Sequence, residues 1–295
     1  MKAKHLMGYA LVLAGAVMWG TIPLFTRYLY GTGLAPLDVA SVRSYLSAAL
    51  AFLLLIAFGD LKNIRRRDIP FYIIYSMLAM SGTYISYANS VKLLPTAMAS
   101  VLLYTAPVFV NVLDRIIYHI PFTGEKLIAL IMTIAGSALV VRIYDPESLK
   151  VNAAGIAVGV LAGFCYSLTT VIGTKAKEKN SGRCNGLLIL ALSFILFLPM
   201  RSPAILAHLT GKQLLYAAGL ALISTIIPYV LYLCGLSCGI DGGSASIAAT
   251  VELVAATLFG VIAFGDRVGL LQILGMAIVF LGVAWPVIAK RFSDQ

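Results

Sequence analysis

The chain has 295 residues, of which 60% are hydrophobic and only 12% are charged, and its mean hydropathy is +0.95. A soluble protein of this size could not bury so much apolar surface, so the composition predicts an integral membrane protein with the lipid bilayer as its surroundings. A net charge of +10 would also suit a nucleic-acid partner. None is expected, because the Lys and Arg residues lie at the ends of apolar segments, where such residues set membrane topology.

Ten apolar segments predict an all-α fold with ten transmembrane helices. A helix needs about 20 residues to cross roughly 30 Å of hydrocarbon, and these long apolar runs do not alternate as membrane strands do. The first run follows positive charges, as in a signal peptide, but its length favours an uncleaved span. The span at 184–200 is the shortest. The predicted spans are residues 7–28, 37–58, 70–91, 96–118, 124–143, 154–175, 184–200, 213–236, 243–264 and 268–289.

The first two spans contain residues that are unusual in an apolar helix. Trp19 stands close to Pro23, an arrangement that suits either a cavity wall with a flexible helix or simple packing at a proline kink. Arg43 lies inside the second span. It either extends toward the membrane surface and pairs with Asp38, or contacts an anion at the outer mouth of a cavity.

The third and fourth spans are enriched in hydroxyl and amide groups. Tyr84 and Tyr87 are three residues apart and therefore share one side of a helix. Tyr104, Pro107 and Asn111 follow i, i+3, i+7 spacing, which also places them on one face. Because these residues lie away from the extreme helix ends, where aromatic belts occur, we expect them to line a cavity.

At the end of the fourth span, Asp114 precedes Arg115. Here we expect a solvated salt bridge.

The second half of the chain repeats the first at an offset of about 145 positions. Tyr229 and Tyr232 fall on Tyr84 and Tyr87 (229 − 84 = 145), and Tyr166 answers Trp19 at a slightly larger offset. Matches that keep the same order along the chain indicate an internal repeat. We therefore expect Tyr166, Tyr229 and Tyr232 to line the same cavity as their counterparts.

Glu252 is the only charged residue of the span at 243–264 and lies near its middle. A carboxylate at that depth costs a few kcal/mol or more, so it normally faces a protein interior or a wet cavity. Three roles remain open. Glu252 could be a protonated acid bonded to a neighbouring helix, a proton-transfer group, or a charged group that binds an ammonium. Arg43 is its possible charge partner.

Residues 1–150 form the predicted first five-helix repeat and residues 151–295 the second, together one membrane domain. Because five is an odd number, the second repeat must enter the membrane inverted, which places a shared site near the midplane. Basic clusters such as Arg65–Arg67 predict that both termini are cytoplasmic. The expected location is the cytoplasmic membrane, as a multi-pass protein.

The chain resembles the EamA-type drug/metabolite transporters. The resemblance rests on the Trp19-Gly20 pair, on AMASVLLYTAPVFV in the first half and on SASIAATVELVAATLFG in the second. It implies ten helices and the export of small polar or amphipathic metabolites, often amino acids. The family usually has Glu-Pro in the ninth helix, whereas Leu253 follows Glu252 here. The resemblance therefore leaves open whether that helix is broken.

The prediction is a secondary transporter, and not an enzyme, for a small-molecule substrate. Proton coupling and homo-oligomer formation are left open. A membrane-embedded enzyme acting on a lipid-linked substrate is the alternative, but the three histidines, His5, His119 and His208, are scattered at segment ends. No catalytic residue, metal site or cofactor is expected. A passive metabolite channel is the other alternative.

Overall fold

The computed structural model describes the backbone of residues 2–146 and 152–293 and the side chains of residues 3–146 and 152–285. Lys150, one of the basic residues at the segment ends, lies outside the described residues. The described part of the chain is helical and contains no strand, so the predicted all-α class is confirmed. Its helices are α1 (Lys2–Trp19), α2 (Ile22–Gly31), α3 (Pro36–Ala57), α4 (Ile69–Tyr75), α5 (Gly82–Leu93), α6 (Thr96–Leu103), α7 (Ala106–Ile117), α8 (Gly124–Val140), α9 (Ala153–Ala176), α10 (Gly182–Ala191), α11 (Gly211–Ala221), α12 (Ile227–Ser237), α13 (Gly242–Ala249), α14 (Val251–Phe264) and α15 (Leu270–Ser293).

Six helical stretches are long and apolar enough to cross a membrane. They correspond to the first, second, fourth, sixth, eighth and ninth predicted spans, so the chain is a multi-pass membrane protein. The apolar part of α15, at Leu270–Trp285, is shorter. The count of ten crossings remains a prediction. The six stretches are Ala3–Gly31, Pro36–Ala57, Thr96–Ile117, Ala153–Ala176, Gly211–Ser237 and Gly242–Phe264.

The span predicted at 184–200 is only partly α-helical. Helix α10 ends at Ala191, and the chain continues to Met200 in turns. The cause lies at Ser193, whose carbonyl accepts a hydrogen bond of 2.6 Å from the Ser81 hydroxyl. Its own hydroxyl lies 2.9 Å from that of Ser44. Neighbouring helices thus supply the hydrogen bonds that a continuous helix would make within itself.

Three of the long stretches are interrupted by the same device. At each interruption a threonine hydroxyl bonds to the carbonyl three residues earlier: Thr21 to Met18 at 2.6 Å, Thr105 to Leu102 at 2.6 Å and Thr250 to Ile247 at 2.7 Å. Such a side-chain bond competes with the backbone ladder and permits a bend. The interruptions separate α1 from α2, α6 from α7 and α13 from α14.

The position two residues after the threonine distinguishes the third interruption from the other two. The second residue of α2 is Pro23 and the second residue of α7 is Pro107. In α14 that position is taken by Glu252. The ninth predicted span is therefore interrupted without a proline, and the carboxylate occupies the position that proline has elsewhere.

Two π-helical turns interrupt other helices. Ser76–Ser81 joins α4 to α5, and Leu222–Ile226 joins α11 to α12. These turns begin 146 positions apart (222 − 76), which is close to the offset of the sequence repeat. Because π-turns are often found at functional sites, their matching positions make α4, α5, α11 and α12 candidates for the walls of such a site.

Polar contacts between distant segments fall into two sets at the two ends of the helices. We call the end that includes the start of α1 the N-terminal face, where Gly8 packs on Ile240, and the other end the opposite face. The N-terminal face has the ion pairs Asp60–Arg183, Asp68–Lys179 and Lys126–Asp241. The opposite face has the ion pairs Asp38–Arg201 and Arg27–Asp266 and the hydrogen bond from Arg142 to the Arg267 carbonyl.

Helices α8 and α15 pack through a pair of glycines. A Cβ atom at Gly136 would come within 2.8 Å of the Gly275 carbonyl oxygen, and one at Gly275 within 2.7 Å of the Gly136 carbonyl oxygen. Small residues let membrane helices approach closely enough for their backbones to touch. Any larger side chain at this crossing would push the two helices apart.

We predict that Gly136→Ala or Gly275→Ala lowers the thermal unfolding midpoint in detergent micelles. The reason is a backbone clash, and overpacking of this kind typically costs about 1–3 kcal/mol. The control is Gly124→Ala, because nothing lies within 4 Å of the added Cβ atom, and alanine favours a helix over glycine by about 1 kcal/mol. Equal midpoints for all three variants would contradict this packing.

Candidate functional site

A cavity of about 760 Å³ reaches into the helices from the opposite face. Tyr30, Leu34 and Pro36 line it at that face, and Glu252 lines its inner end. Its volume lies in the range of small-molecule binding sites. The wall mixes apolar side chains with hydroxyl groups, the guanidiniums of Arg27 and Arg43 and the carboxylate of Glu252. It is therefore equipped for a small amphipathic or polar ligand.

Most of the residues predicted for a site line this cavity. They are Trp19, Arg43, Tyr84, Tyr87, Tyr104, Tyr166, Tyr229 and Glu252. Pro107 and Tyr232 instead line a second, smaller pocket directly beyond Glu252. Asn111 lies apart from both, with its amide bonded to the Pro107 carbonyl at 2.8 Å and packed against Gly243. The binding role of all these residues stays a prediction.

Trp19 is the centre of an aromatic cluster at the inner end of the cavity. Its ring centroid lies 6.1 Å from that of Tyr166, 5.0 Å from that of Tyr229 and 5.3 Å from that of Tyr232. Separations in this range are favourable for tilted and edge-to-face rings. Gly20 permits the close approach, because a Cβ atom there would lie 2.5 Å from that of Ala255. The Trp-Gly pair thus joins α1 to α14 and fixes the tryptophan ring.

Glu252 lies in the first turn of α14 and is only 8% exposed. The Tyr166 hydroxyl donates a hydrogen bond of 3.3 Å to its Oε2 atom. A helix N-terminus attracts negative charge, so the interruption at Thr250 brings a stabilising dipole to a carboxyl that would otherwise sit in mid-helix.

A small pocket of about 20 Å³ lies beyond the cavity, toward the N-terminal face. This volume is enough for about one water molecule. Polar side chains surround it, among them Ser246 and Thr170. Tyr104, Tyr166 and Glu252 line both this pocket and the large cavity. These three residues, the partition, stand between the large cavity and the small pocket.

Hydrogen bonds close the protein on the N-terminal side of the small pocket. The hydroxyls of Thr170 and Tyr232 lie 2.6 Å apart, and Asp114 accepts a hydrogen bond of 2.9 Å from the Gly243 amide. The expectation of a solvated salt bridge at Asp114 is wrong. The carboxyl is 2% exposed, because the glycine-rich start of α13 packs directly on it.

The predicted pairing of Arg43 with Asp38 is also wrong. Asp38 pairs with Arg201 instead. Arg43 donates to the Thr225 hydroxyl at 2.7 Å, and its guanidinium lies 4.4 Å from the centre of the Tyr84 ring. Among the ion pairs of the described residues, none joins Arg43 to Glu252. Both nevertheless line the cavity, as does Arg27, which pairs with Asp266. Arg43 and Glu252 therefore remain available to a ligand as a positive and a negative group.

The sequence reasoning missed the threonines that shape the site. Thr21, Thr105 and Thr250 create the helix starts that position Trp19, Tyr104 and Glu252. The available signal was a recurring pattern, Thr-x-Pro in the first half and Thr-x-Glu in the second. Thr225 accepts the hydrogen bond from Arg43. It belongs to no such recurring pattern in the sequence, because it lies within a π-turn and not at a helix start.

The pattern that describes the EamA-like transporter family matches residues 6–142 and again 153–287. The chain belongs to this family. The resemblance inferred from the sequence is thereby confirmed, and the chain is a membrane transporter.

Similar proteins are also named as transporters. One, called an uncharacterized transporter, from Archaeoglobus fulgidus, is 29% identical and aligns over 94% of this chain and 96% of its own length. The uncharacterized transporter YwfM from Bacillus subtilis is 23% identical over 92% of this chain and 90% of its own. These names agree with the expectation that this EamA-like chain is not an enzyme.

The fold has a counterpart among solved structures. One crystal structure superposes with a TM-score of 0.80 over the whole of both chains at 16% identity. At that identity the likeness concerns the fold alone.

We predict that Ala40→Cys reacts with a charged, membrane-impermeant thiol reagent added from the opposite face, because Ala40 lines the cavity. The background is a variant without the native cysteines Cys165, Cys184, Cys234 and Cys238. Ala51→Cys on the same helix is the matched control and should stay unlabelled, since Ala51 is fully buried. Labelling rates in proteoliposomes give the comparison. Equal rates at the two positions would mean that the cavity is not open to water.

Proposed function

We propose that this transporter is a secondary carrier of the cytoplasmic membrane that exports a small polar or amphipathic metabolite, such as an amino acid or an amine. The observation that supports the proposal most directly is the partition. Its three residues face a wide cavity on one side and, on the other, a small pocket with hydrogen bonds between the helices on its N-terminal side. A site that is open to one side and closed to the other is what alternating access requires.

The proposed architecture is ten crossings in two inverted repeats, residues 1–150 and 151–295. Matching interruptions support it. The π-turns lie 146 positions apart (222 − 76), and Thr105 and Thr250 lie 145 apart (250 − 105). The two sets of polar contacts at the helix ends agree with a chain that crosses from face to face. Both termini are then cytoplasmic, and the cavity opens to the outside.

In this scheme, transport requires the N-terminal face to open while the opposite face closes. The contacts that must separate join α7 and α8 to the start of α13. They are the hydrogen bond from Gly243 to Asp114 and the ion pair of 2.7 Å between Lys126 and Asp241. Once these part, Ser246 and the small pocket become accessible from the cytoplasm. A ligand bound at the partition could then pass without a continuous channel, since the two openings alternate.

The coupling group in this proposal is Glu252. When the site is closed, its surroundings are aromatic and apolar, and a charge is costly there unless it is paired. When the cavity opens to water, the carboxylate is hydrated and the charge is tolerated. Access and proton binding are therefore linked, which is the minimum a proton-coupled carrier needs.

We predict that Glu252→Gln abolishes uphill transport driven by a pH gradient but leaves substrate exchange, because glutamine keeps the size and hydrogen bonding but cannot ionise. The substrate is first identified by thermal-shift screening of the purified protein against a metabolite library. Proteoliposomes then give uphill accumulation under a pH gradient and counterflow of the labelled substrate without one. Glu178→Gln, on the exposed N-terminal face, is the control and should behave like the wild type.

Each result leads to a different conclusion. Loss of substrate binding in Glu252→Gln would show that Glu252 binds a substrate ammonium group directly and does not act as the proton-coupling group. Unchanged uphill transport and affinity would leave Glu252 with a structural role only. Absence of counterflow in the wild type, with equilibration still occurring, would point to a channel and overturn the carrier proposal.

We also predict that Lys126→Ala shifts the protein toward opening at the N-terminal face, because it removes the ion pair to Asp241. The reporter is Ser246→Cys in the cysteine-free background, because Ser246 lines the small pocket. Its labelling from the N-terminal face should accelerate by about 3- to 10-fold, as expected for the loss of roughly 1 kcal/mol. Lys175→Ala is the control, since Lys175 pairs with Glu178, which is only three residues further along the chain. Equal acceleration of labelling in both variants would show that the ion pair between Lys126 and Asp241 does not specifically hold the N-terminal face together.

The ion pair between Lys126 and Asp241 differs in its pH dependence from the proposed coupling group, Glu252. Burial raises the pKa of Asp241, but Lys126 and Ser244 together hold it below its ordinary value. A carboxyl with a lowered pKa stabilises the folded contact above its unfolded pKa and loses that effect only as the pH falls through the folded value. The ion pair therefore stays intact near neutral pH. A change in transport rate near neutral pH would not arise from Asp241.

A further inference from the structure

A second large cavity is a lateral groove in the outer surface of the helices, separate from the transport cavity. Its volume is about 810 Å³, and it lies between α3 and α10 with its extension. It extends from Leu61 and Ile64, near the N-terminal face, to Pro203 and Leu206, near the opposite face. The groove exists because α10 ends early, at Ala191, and the turns after it leave space beside α3.

The lining of the groove is almost entirely apolar. Its two tyrosines do not offer free hydroxyls, because Tyr45 donates to the Arg201 carbonyl and Tyr72 donates to Asn185. The only charged residue in the lining is Arg66, at the N-terminal end. A partner for this surface must therefore bring a long apolar part and a single anionic group.

Arg66 is the arginine of its loop that lines the groove. Among the described residues, the nearby cations Lys179 and Arg183 are paired with Asp68 and Asp60, whereas Arg66 has no ion pair or hydrogen bond. In the same described part of the chain, Arg65 and Arg67 are likewise without an ion pair, but neither lines the groove. Arg66 is thus left beside the groove, exposed and without an anion.

We propose that the groove binds an anionic phospholipid, with an acyl chain along the apolar lining and the phosphate on Arg66. Basic positions between helices at the membrane surface favour anionic headgroups. A guanidinium binds phosphate oxygens through paired hydrogen bonds. The site is independent of the proposed carrier function, because none of its lining residues belongs to the partition or the transport cavity.

The groove suits a lipid better than it suits the surface of another protein. An extended segment or loop of a protein would need its backbone groups satisfied along the groove, and the described lining offers no free hydrogen-bonding group apart from Arg66. The exposed lining residues Phe52, Leu61 and Ile69 are large and apolar. In a bilayer such side chains meet acyl chains, so the lipid is present at high local concentration.

The test uses the purified full-length protein and dioleoyl phosphatidylglycerol as the probe. Native mass spectrometry measures the lipid bound per protein, and the thermal unfolding midpoint measures the affinity as the lipid is titrated. Dioleoyl phosphatidylcholine and glycerol 3-phosphate are compared, to separate the headgroup charge from the tail. The variants are Arg66→Ala, the matched control Arg65→Ala from the same exposed loop, and Ala49→Trp, which fills the groove with a ring.

We expect one tightly retained phosphatidylglycerol, with an affinity that falls about 5-fold in Arg66→Ala, the effect of one basic residue at a membrane surface. Arg65→Ala should bind like the wild type, and Ala49→Trp should lose the retained lipid. The midpoints of the variants without lipid show that folding is intact. Equal losses in the two arginine variants, equal binding of phosphatidylcholine, or equal binding of glycerol phosphate would overturn the proposal. Cross-linking of Phe52→Cys between two copies would do so as well, by assigning the groove to a dimer.

Discussion

The site depends on how the backbone is hydrogen-bonded inside the membrane. A helix in hydrocarbon satisfies its own N–H and C=O groups, and each interruption leaves some of them without partners at a cost of several kcal/mol. This chain solves the problem with threonines that bond back to the carbonyl three residues earlier, at Thr21, Thr105 and Thr250. Because the solution is local, the interruptions can stand in the middle of the helices, where a ligand would cross.

Each interruption contributes directly to the cavity. A new helix start after Thr250 supplies the N-terminal dipole beside Glu252, and the bend after Thr105 turns Tyr104 toward the same carboxyl. At the start of the chain, Gly20 lets α1 touch α14, so Trp19 meets Tyr166 and Tyr229. The chemistry of the partition is therefore a product of backbone geometry as much as of the side chains themselves.

The sequence was sufficient for the fold class, and it also pointed to most of the residues that line the cavity. Glu252 was visible because charged groups are rare in apolar helices, and Tyr84, Tyr87, Tyr229 and Tyr232 because they recur in both halves. The errors concern pairs that are distant in sequence. One of the two alternatives paired Arg43 with Asp38, five residues away, but the π-turn at Thr225 brings a partner from 182 residues further along. Asp114 looked solvated because nothing near it in sequence reveals that Gly243 covers it.

The interruption at Thr250 also makes the two halves unequal in stiffness. In α2 and α7 a proline stands two residues after the threonine, and a proline ring cannot rejoin the helical ladder in any conformation. In α14 the same place is held by Glu252, which has a normal backbone N–H. The hydroxyl and the backbone N–H of Thr250 both bond to the Ile247 carbonyl at this interruption. The interruptions at Pro23 and Pro107 are fixed by covalent structure, whereas the one beside Glu252 rests on hydrogen bonds alone.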